Sequence, residues 1–361
     1  MATDVVNFDL GFEATEATSK VADPTEVIRR RSRLYSVLVV LLPLIAIPVF
    51  IALGQSDFFL HHGASIWVQS NDAVFQMRNR NCEVLIFGDS TAMTGIDPAL
   101  VEKDTGYKTC NIAVTNAVLS VTDNMTLDHF LAHNTRPRVL VVQLSPDGFQ
   151  KENHSWNRSI YAEGMLELMR HGTPEETRRM LLQHPHEAVS FAGYAAGFSA
   201  YYGLKQAFYF ATRMRPDEDE VRVRNGFFTP PVPARTRCDA VPTTPASADN
   251  TYPHQVVQDY HRNYIAHSDV VLVNVAPIPS CDKNLQQYQK NLAGVTNNTL
   301  TPLPIAYFND GRHYTASGSE VVSRLVSDEV NRVAGLTTEE AQQRRGAQIV
   351  AALQSSAPIT R

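Results

Sequence analysis

Cysteine is scarce and unevenly placed: there are four, none precedes Cys82, and no pair is spaced as a zinc site requires. A basic stripe is also missing. The formal net charge is −5, and without clustered Lys and Arg the chain lacks the electrostatic footprint of a nucleic-acid binder. No internal repeat is present, which excludes a solenoid or propeller. Charge is absent from one whole stretch, Leu34 to Leu53, and after Arg33 no Lys or Arg recurs until Arg78.

That uncharged stretch is about as long as a helix needs to cross a bilayer. Pro43 and Pro48 lie inside it, which membrane helices tolerate better than soluble ones. Lys20, Arg29, Arg30, Arg31 and Arg33 precede it, so the positive-inside rule places residues 1–33 in the cytoplasm and the remainder outside. The expectation is a single-pass inner or plasma membrane protein with a periplasmic or extracellular domain. Two alternatives stand beside the retained anchor. Ala52-Leu53-Gly54 has the small residues of a signal cleavage site, although the leader and apolar run are long for one, and a buried soluble helix has a similar composition. An oxidising compartment permits disulfides: adjacent strands would bring Cys82 to Cys110, leaving Cys238 and Cys281 for a second bridge or as free buried thiols.

The domain plan follows from these limits. Residues 1–33 read as a cytoplasmic tail, polar and without apolar periodicity to residue 28, 34–53 as the anchor, 54–80 as a linker, and 336–361 as a polar C-terminal tail. Between them, residues 81–335 alternate strand and helix signals. Apolar runs Val84–Phe87, Tyr107–Val114, Val139–Leu144, Val270–Val275 and Pro304–Phe308 predict five strands. Asp97-Pro98 predicts a capped helix start and Gly106 its end. Strands separated by helices predict an α/β fold, a doubly wound five-stranded parallel sheet. Residues 151–262 break that pattern and read as a helical and loop insertion, a candidate lid or binding surface. Its aromatics from Tyr201 to Phe210 are expected to pack rather than form a sugar platform.

The first strand runs into Gly88-Asp89-Ser90, and the last into Asp310-Gly311-Arg312-His313. A serine at the carboxyl end of a parallel strand sits where open α/β sheets place ligands. A serine hydroxyl needs a base, and an imidazole needs a carboxylate to fix its tautomer, so Ser90, His313 and Asp310 form a candidate nucleophile, base and orienting acid. The plainer reading of the last two is a loop-to-helix junction with polar capping groups.

Gly-Asp-Ser early and Asp-x-x-His late, in this order and after strand signals, resemble the SGNH (GDSL-like) hydrolase superfamily. The resemblance covers about residues 81 to 335 and implies a flavodoxin-like SGNH fold with Ser90, His313 and Asp310 as the catalytic residues. It also implies an oxyanion hole from the Ser90 N–H, a glycine N–H after strand two and an asparagine side chain after strand three. Asn116 occupies the glycine's place, and asparagine tolerates left-handed backbone better than most residues. Asp147 stands where the asparagine would be, and an ionised aspartate would oppose an oxyanion.

With its single span, the chain resembles membrane-anchored SGNH-like proteins that modify cell-surface polymers. The expectation is a serine-dependent O-acyltransferase or acylesterase, transferring or removing an acyl group such as acetyl on an extracytoplasmic glycan beside a multi-span acyltransferase. No cofactor, metal or nucleic acid is expected. The alternative is a non-catalytic SGNH-like module that binds a glycan or partner, favoured by Asp147 and the missing glycine.

Overall fold

The computed structural model describes residues 24–56, 66–150, 158–188, 226–230 and 251–335, with single positions between 191 and 204 and between 234 and 238. Most of the expected cytoplasmic tail, the whole C-terminal tail from 336 and most of the aromatic run after Tyr201 lie outside the described residues; Tyr201 itself is exposed. The chain divides into two compact units, Met1–Ala46 and Ile47–Arg361. Helix α1 (Pro24–Gly54) contains a 23-residue stretch, Arg31–Leu53, that is long and apolar enough to span a membrane.

Within the stretch expected to be a linker, residues 66–75 form helix α2 (Ile66–Phe75), which buries Val68, Asn71, Val74 and Phe75. Four parallel strands follow in the larger unit: β1 (Val84–Gly88), β2 (Thr109–Asn111), β3 (Val139–Leu144) and β4 (Val270–Val275), in the order β2-β1-β3-β4. Side chains alternate between the faces, as a strand requires. Leu85, Phe87, Leu140, Val142 and Val273 pack into one core with Phe130 and Tyr264. Val84, Ile86, Val139, Val141 and Leu272 pack into another with Val322 and Val326. The near-continuous apolar runs of β1 and β3 are explained by burial on both faces.

The fifth strand is a correction. Residues 305–307 form a 3₁₀ turn, and Pro302–Leu303 (β6) instead pairs with Ile278–Pro279 (β5) in a separate two-stranded parallel sheet. Pro302 and Pro304 have no N–H to give a ladder. The open edge of β4 is closed another way. Asn297 Oδ1 accepts from Val273 N–H at 2.7 Å, and Asn298 Oδ1 accepts from Val275 N–H at 2.8 Å. Two asparagine side chains thus take the place of a neighbouring strand, which protects an edge from pairing with other chains.

Helices fill both faces. Helix α3 (Ser90–Gly95) starts at the candidate nucleophile itself, earlier than the sequence pattern suggests, because Asp89 caps it. Helix α4 (Pro98–Thr105) starts and stops as expected, with Asp97 as N-cap and Gly106 left-handed at φ 72°. Helices α5 (Asn116–Thr122) and α6 (Met125–His133) lie between β2 and β3. The insertion supplies α7 (Arg158–His171), α8 (Pro174–Gln183) and α9 (Thr251–Tyr264). Gly164 permits the close packing of α7 on α5: a Cβ there would lie 2.4 Å from Val121 Cγ2 and 2.6 Å from the Ala117 carbonyl oxygen. Helices α10 (Leu285–Leu292) and α11 (Ala316–Val333) complete the unit.

Both pairs of cysteines are joined, Cys82 to Cys110 and Cys238 to Cys281. The first bridge ties the segment before β1 to β2, and the second ties the insertion to the segment after β5. Disulfides of this kind belong to an oxidising compartment.

Candidate active site

Gly88 sets the geometry at the end of β1. Its φ is 150°, and a Cβ there would fall 1.8 Å from the Gln143 carbonyl oxygen of β3. Only glycine allows β3 this close. Asp89 then turns the chain. Its Oδ1 accepts from Thr91 N–H at 2.9 Å, capping α3, while its Oδ2 accepts from Ser145 N–H at 2.8 Å. One buried carboxylate therefore fixes the ends of β1 and β3 together and leaves Ser90 at the first position of the helix. Asn111 secures the other end of α3: its Nδ2 donates to the carbonyls of Ala92 and Ile96 at 3.0 and 2.9 Å.

The second half of the site is a tight turn. Phe308 and Tyr314 face each other across an antiparallel bridge, with Gly311 at φ 90° between them. Asp310 Oδ1 accepts from the backbone N–H groups of Arg312 and His313 at 2.9 and 2.8 Å, so the aspartate folds its own loop. Tyr314 O–H donates to the Pro277 carbonyl at 2.6 Å and pins the turn to the sheet side.

These elements bring three of the sequence-predicted residues into one hydrogen-bonded chain. His313 Nε2 lies 2.9 Å from Ser90 Oγ, and His313 Nδ1 lies 2.5 Å from Asp310 Oδ2. Burial raises the Asp310 carboxyl pKa, but the hydrogen bond and charge of His313, with the two backbone N–H bonds, win and hold it down to about 2. Asp310 is therefore ionised at any ordinary pH. That protonation state suits a carboxylate orienting an imidazole.

Asn116 and Asp147 stand apart from that chain. Asn116 opens α5, directly after its N-cap Thr115, so its backbone N–H is one of those a helix leaves without an internal partner. Asp147 is buried and already engaged. Its Oδ1 accepts from Tyr288 O–H at 2.8 Å, and its Oδ2 is paired with Arg312 Nη1. Arg312 belongs to the same turn as His313, so this pair tethers the turn to the end of β3. A cavity of about 570 Å³ lies beside the ends of β1 and β3, lined by Asp89, Asn116, Leu144, Gly148, His184 and Tyr260 among others.

Two contributions came from residues that sequence reasoning passed over. The Trp67 ring of α2 lies 4.7 Å from the His313 ring and 4.8 Å from Phe228, which is fully buried. Asn71, one turn further along α2, accepts from Thr115 N–H at 2.9 Å and donates to Glu163 Oε1 at 3.2 Å, holding the turn that presents Asn116. Burial raises the Glu163 pKa, opposed by its hydrogen bonds from Thr115 and Asn71. The only available signal was the spacing of Val68, Asn71, Val74 and Phe75 on one helical face. Comparison with protein-family models, curated proteins and solved structures finds no match to this chain.

Proposed function

We propose that the chain is a membrane-anchored serine-dependent O-acyltransferase or acylesterase of SGNH type, acting on an extracytoplasmic glycan. The observation that carries this reading is the Ser90–His313–Asp310 hydrogen-bonded chain at the carboxyl end of a parallel strand. In the reaction, Ser90 Oγ attacks the acyl carbonyl as His313 Nε2 takes its proton, and Asp310 holds the tautomer and balances the imidazolium. The tetrahedral intermediate collapses, His313 gives the proton to the departing alcohol, and the acyl group remains on Ser90. Water or a sugar hydroxyl then attacks, again with His313 as base, and releases Ser90. Backbone N–H donors at Ser90 and Asn116 serve the oxyanion, and Asp147 serves the loop instead.

The apolar span of α1 and the Arg-rich stretch before it support an anchor with its N-terminus in the cytoplasm and its domain outside. A multi-span acyltransferase is the partner that this reading requires for the transferase version, as the source of the acyl group.

The second reading, a non-catalytic SGNH-like module that binds a glycan or partner, draws on Asp147. Asp147 accepts hydrogen bonds where an asparagine donor is expected, and losing one oxyanion donor lowers rates by about 10²–10³. Labelling with a fluorophosphonate probe separates the two readings. On the enzyme reading, the detergent-solubilised chain is labelled and its Ser90→Ala variant is not. A folded wild type that takes no label supports the binding module.

A further inference from the structure

A second cavity lies between the sheet and α11, with a volume of about 330 Å³. None of its lining residues belongs to the Ser90–His313–Asp310 chain. Gln143 of β3 and Asn274 of β4 are partners in register, and they line it together with Val322, Val326 and Glu329 of α11. The cavity follows from the missing fifth strand. Where such a strand would place its side chains under α11, a loop bearing Asn297 and Asn298 passes instead, with both asparagines committed to the edge of β4.

Its polar lining is only partly satisfied. Asn274 Nδ2 donates to Glu329 Oε2 at 2.5 Å. Gln143 Nε2, Asn274 Oδ1 and Glu329 Oε1 are buried, and none has a hydrogen-bond partner among the described residues. Gln143 and Asn274 are each 1% exposed and Glu329 is 9% exposed. Glu329 Oε1 is ion-paired with Arg332 Nη2 at 3.5 Å, so Gln143 Nε2 and Asn274 Oδ1 are the two atoms with neither a hydrogen bond nor an ion pair among these three. Buried polar atoms left without partners are costly, so two side by side at one cavity point to an occupant that supplies hydrogen bonds.

The lining selects the occupant's chemistry. Glu329 and Asp328 oppose an anion, and Arg332 opposes a cation. Gln143 Nε2 requires an acceptor, while Asn274 Oδ1 requires a donor. Glu329 Oε1, ion-paired with Arg332 but without a hydrogen bond, takes a donor too, so the occupant must both accept and donate. A hydroxyl does both. Val322 and Val326 supply an apolar wall for a C–H face. The volume is at the small end of ligand cavities.

We propose that this cavity binds one neutral sugar residue, with hydroxyls on Gln143, Asn274 and Glu329 and its C–H face on α11. The site is independent of Ser90 and of the acyl chemistry. The test is saturation-transfer difference NMR on the full chain in detergent, with D-glucose, D-mannose and N-acetyl-D-glucosamine as probes. Leu325, 42% exposed on α11, lines the cavity, so Leu325→Trp blocks its mouth without entering the core. Glu329→Gln keeps an acceptor for Asn274 but turns the oxygen facing Arg332 into a donor.

Expected is saturable transfer to at least one sugar, lost in Leu325→Trp, weakened about tenfold in Glu329→Gln and unchanged in Ser90→Ala. Loss in Ser90→Ala with retention in Leu325→Trp would place the sugar in the other site and overturn the proposal. So would transfer unaffected by Glu329→Gln, which stands as a test even if the tryptophan variant misfolds. Absence of saturable transfer with all three sugars would leave water as the occupant and end the idea.

Discussion

Arg312 and Asp147 form an ion pair that links the turn carrying His313 to the end of β3, with Tyr288 bonded to the other carboxylate oxygen. The pair is little exposed, 8% at Asp147 and 21% at Arg312. The resemblance to SGNH hydrolases set Asp147 at an oxyanion position, where a negative charge would hinder acyl transfer. Paired with a guanidinium, its charge is balanced and the group becomes part of the support for the site.

Asp147→Asn should therefore lower both stability and the rate at which Ser90 takes up a fluorophosphonate. Breaking a largely buried pair removes the carboxylate bonded to Arg312, a loss of about 3 kcal/mol. The double variant Asp147→Leu/Arg312→Met should recover part of that stability, since it strands no charge. Urea unfolding of the wild type and the two variants measures this. An Asp147→Asn chain as stable as wild type would show that the pair contributes nothing.

The parts legible in the sequence are those with strong local causes. Val139–Leu144 and Val270–Val275 are continuous branched runs, and Asp97-Pro98 to Gly106 carries its own start and stop. Pairing of Cys82 with Cys110 follows from two neighbouring parallel strands. Contacts between distant segments were illegible. Trp67 reaches His313 from a helix whose short amphipathic pattern sits after the apolar span, where a tether is the plainer reading. The strand expected at Pro304–Phe308 failed because local apolar content said nothing of the two prolines' missing donors, or of Asn297 and Asn298 occupying the edge first.

Asp310→Asn tests the orienting role. The amide keeps the size of the side chain but cannot stabilise an imidazolium or fix the donor at Nδ1, so labelling of Ser90 should slow by about 10⁴. The carboxyl's pKa of about 2 lies below the ordinary aspartate value near 4. A depressed pKa contributes stability that is fully present above the unfolded value and lost as pH falls through the folded one. Wild type should thus lose stability relative to Asp310→Asn between about pH 4 and pH 2, measured by thermal melts across that window. Parallel pH profiles would remove Asp310 from the account.

Trp67→Ala uncovers one side of the His313 ring. An aromatic contact of this kind contributes about 0.5–1.5 kcal/mol, so the labelling rate should fall up to about tenfold while the melting curve moves only modestly. Trp67→Phe should retain most of the rate. Equal loss in both variants would mean that the indole acts through Phe228 packing rather than on His313.

Glu167 carries the opposite pH signature. It is 1% exposed on α7, bonded to Arg170 at 3.0 Å, with Asp72 and Glu163 also acting on it and His171 Nε2 at 3.6 Å. Burial outweighs the pull of Arg170, and the charges of Asp72 and Glu163 add to it, raising the carboxyl to about 8 against an unfolded value near 4.3. Between those values the folded chain holds a proton that the unfolded chain has released, so stability falls as pH rises through the window. Glu167→Gln fixes the neutral form, keeps an acceptor for Arg170 and should flatten that fall. Urea unfolding at pH 5, 7 and 9 compares the slopes: a variant that declines as steeply as wild type would mean Arg170 keeps Glu167 ionised throughout.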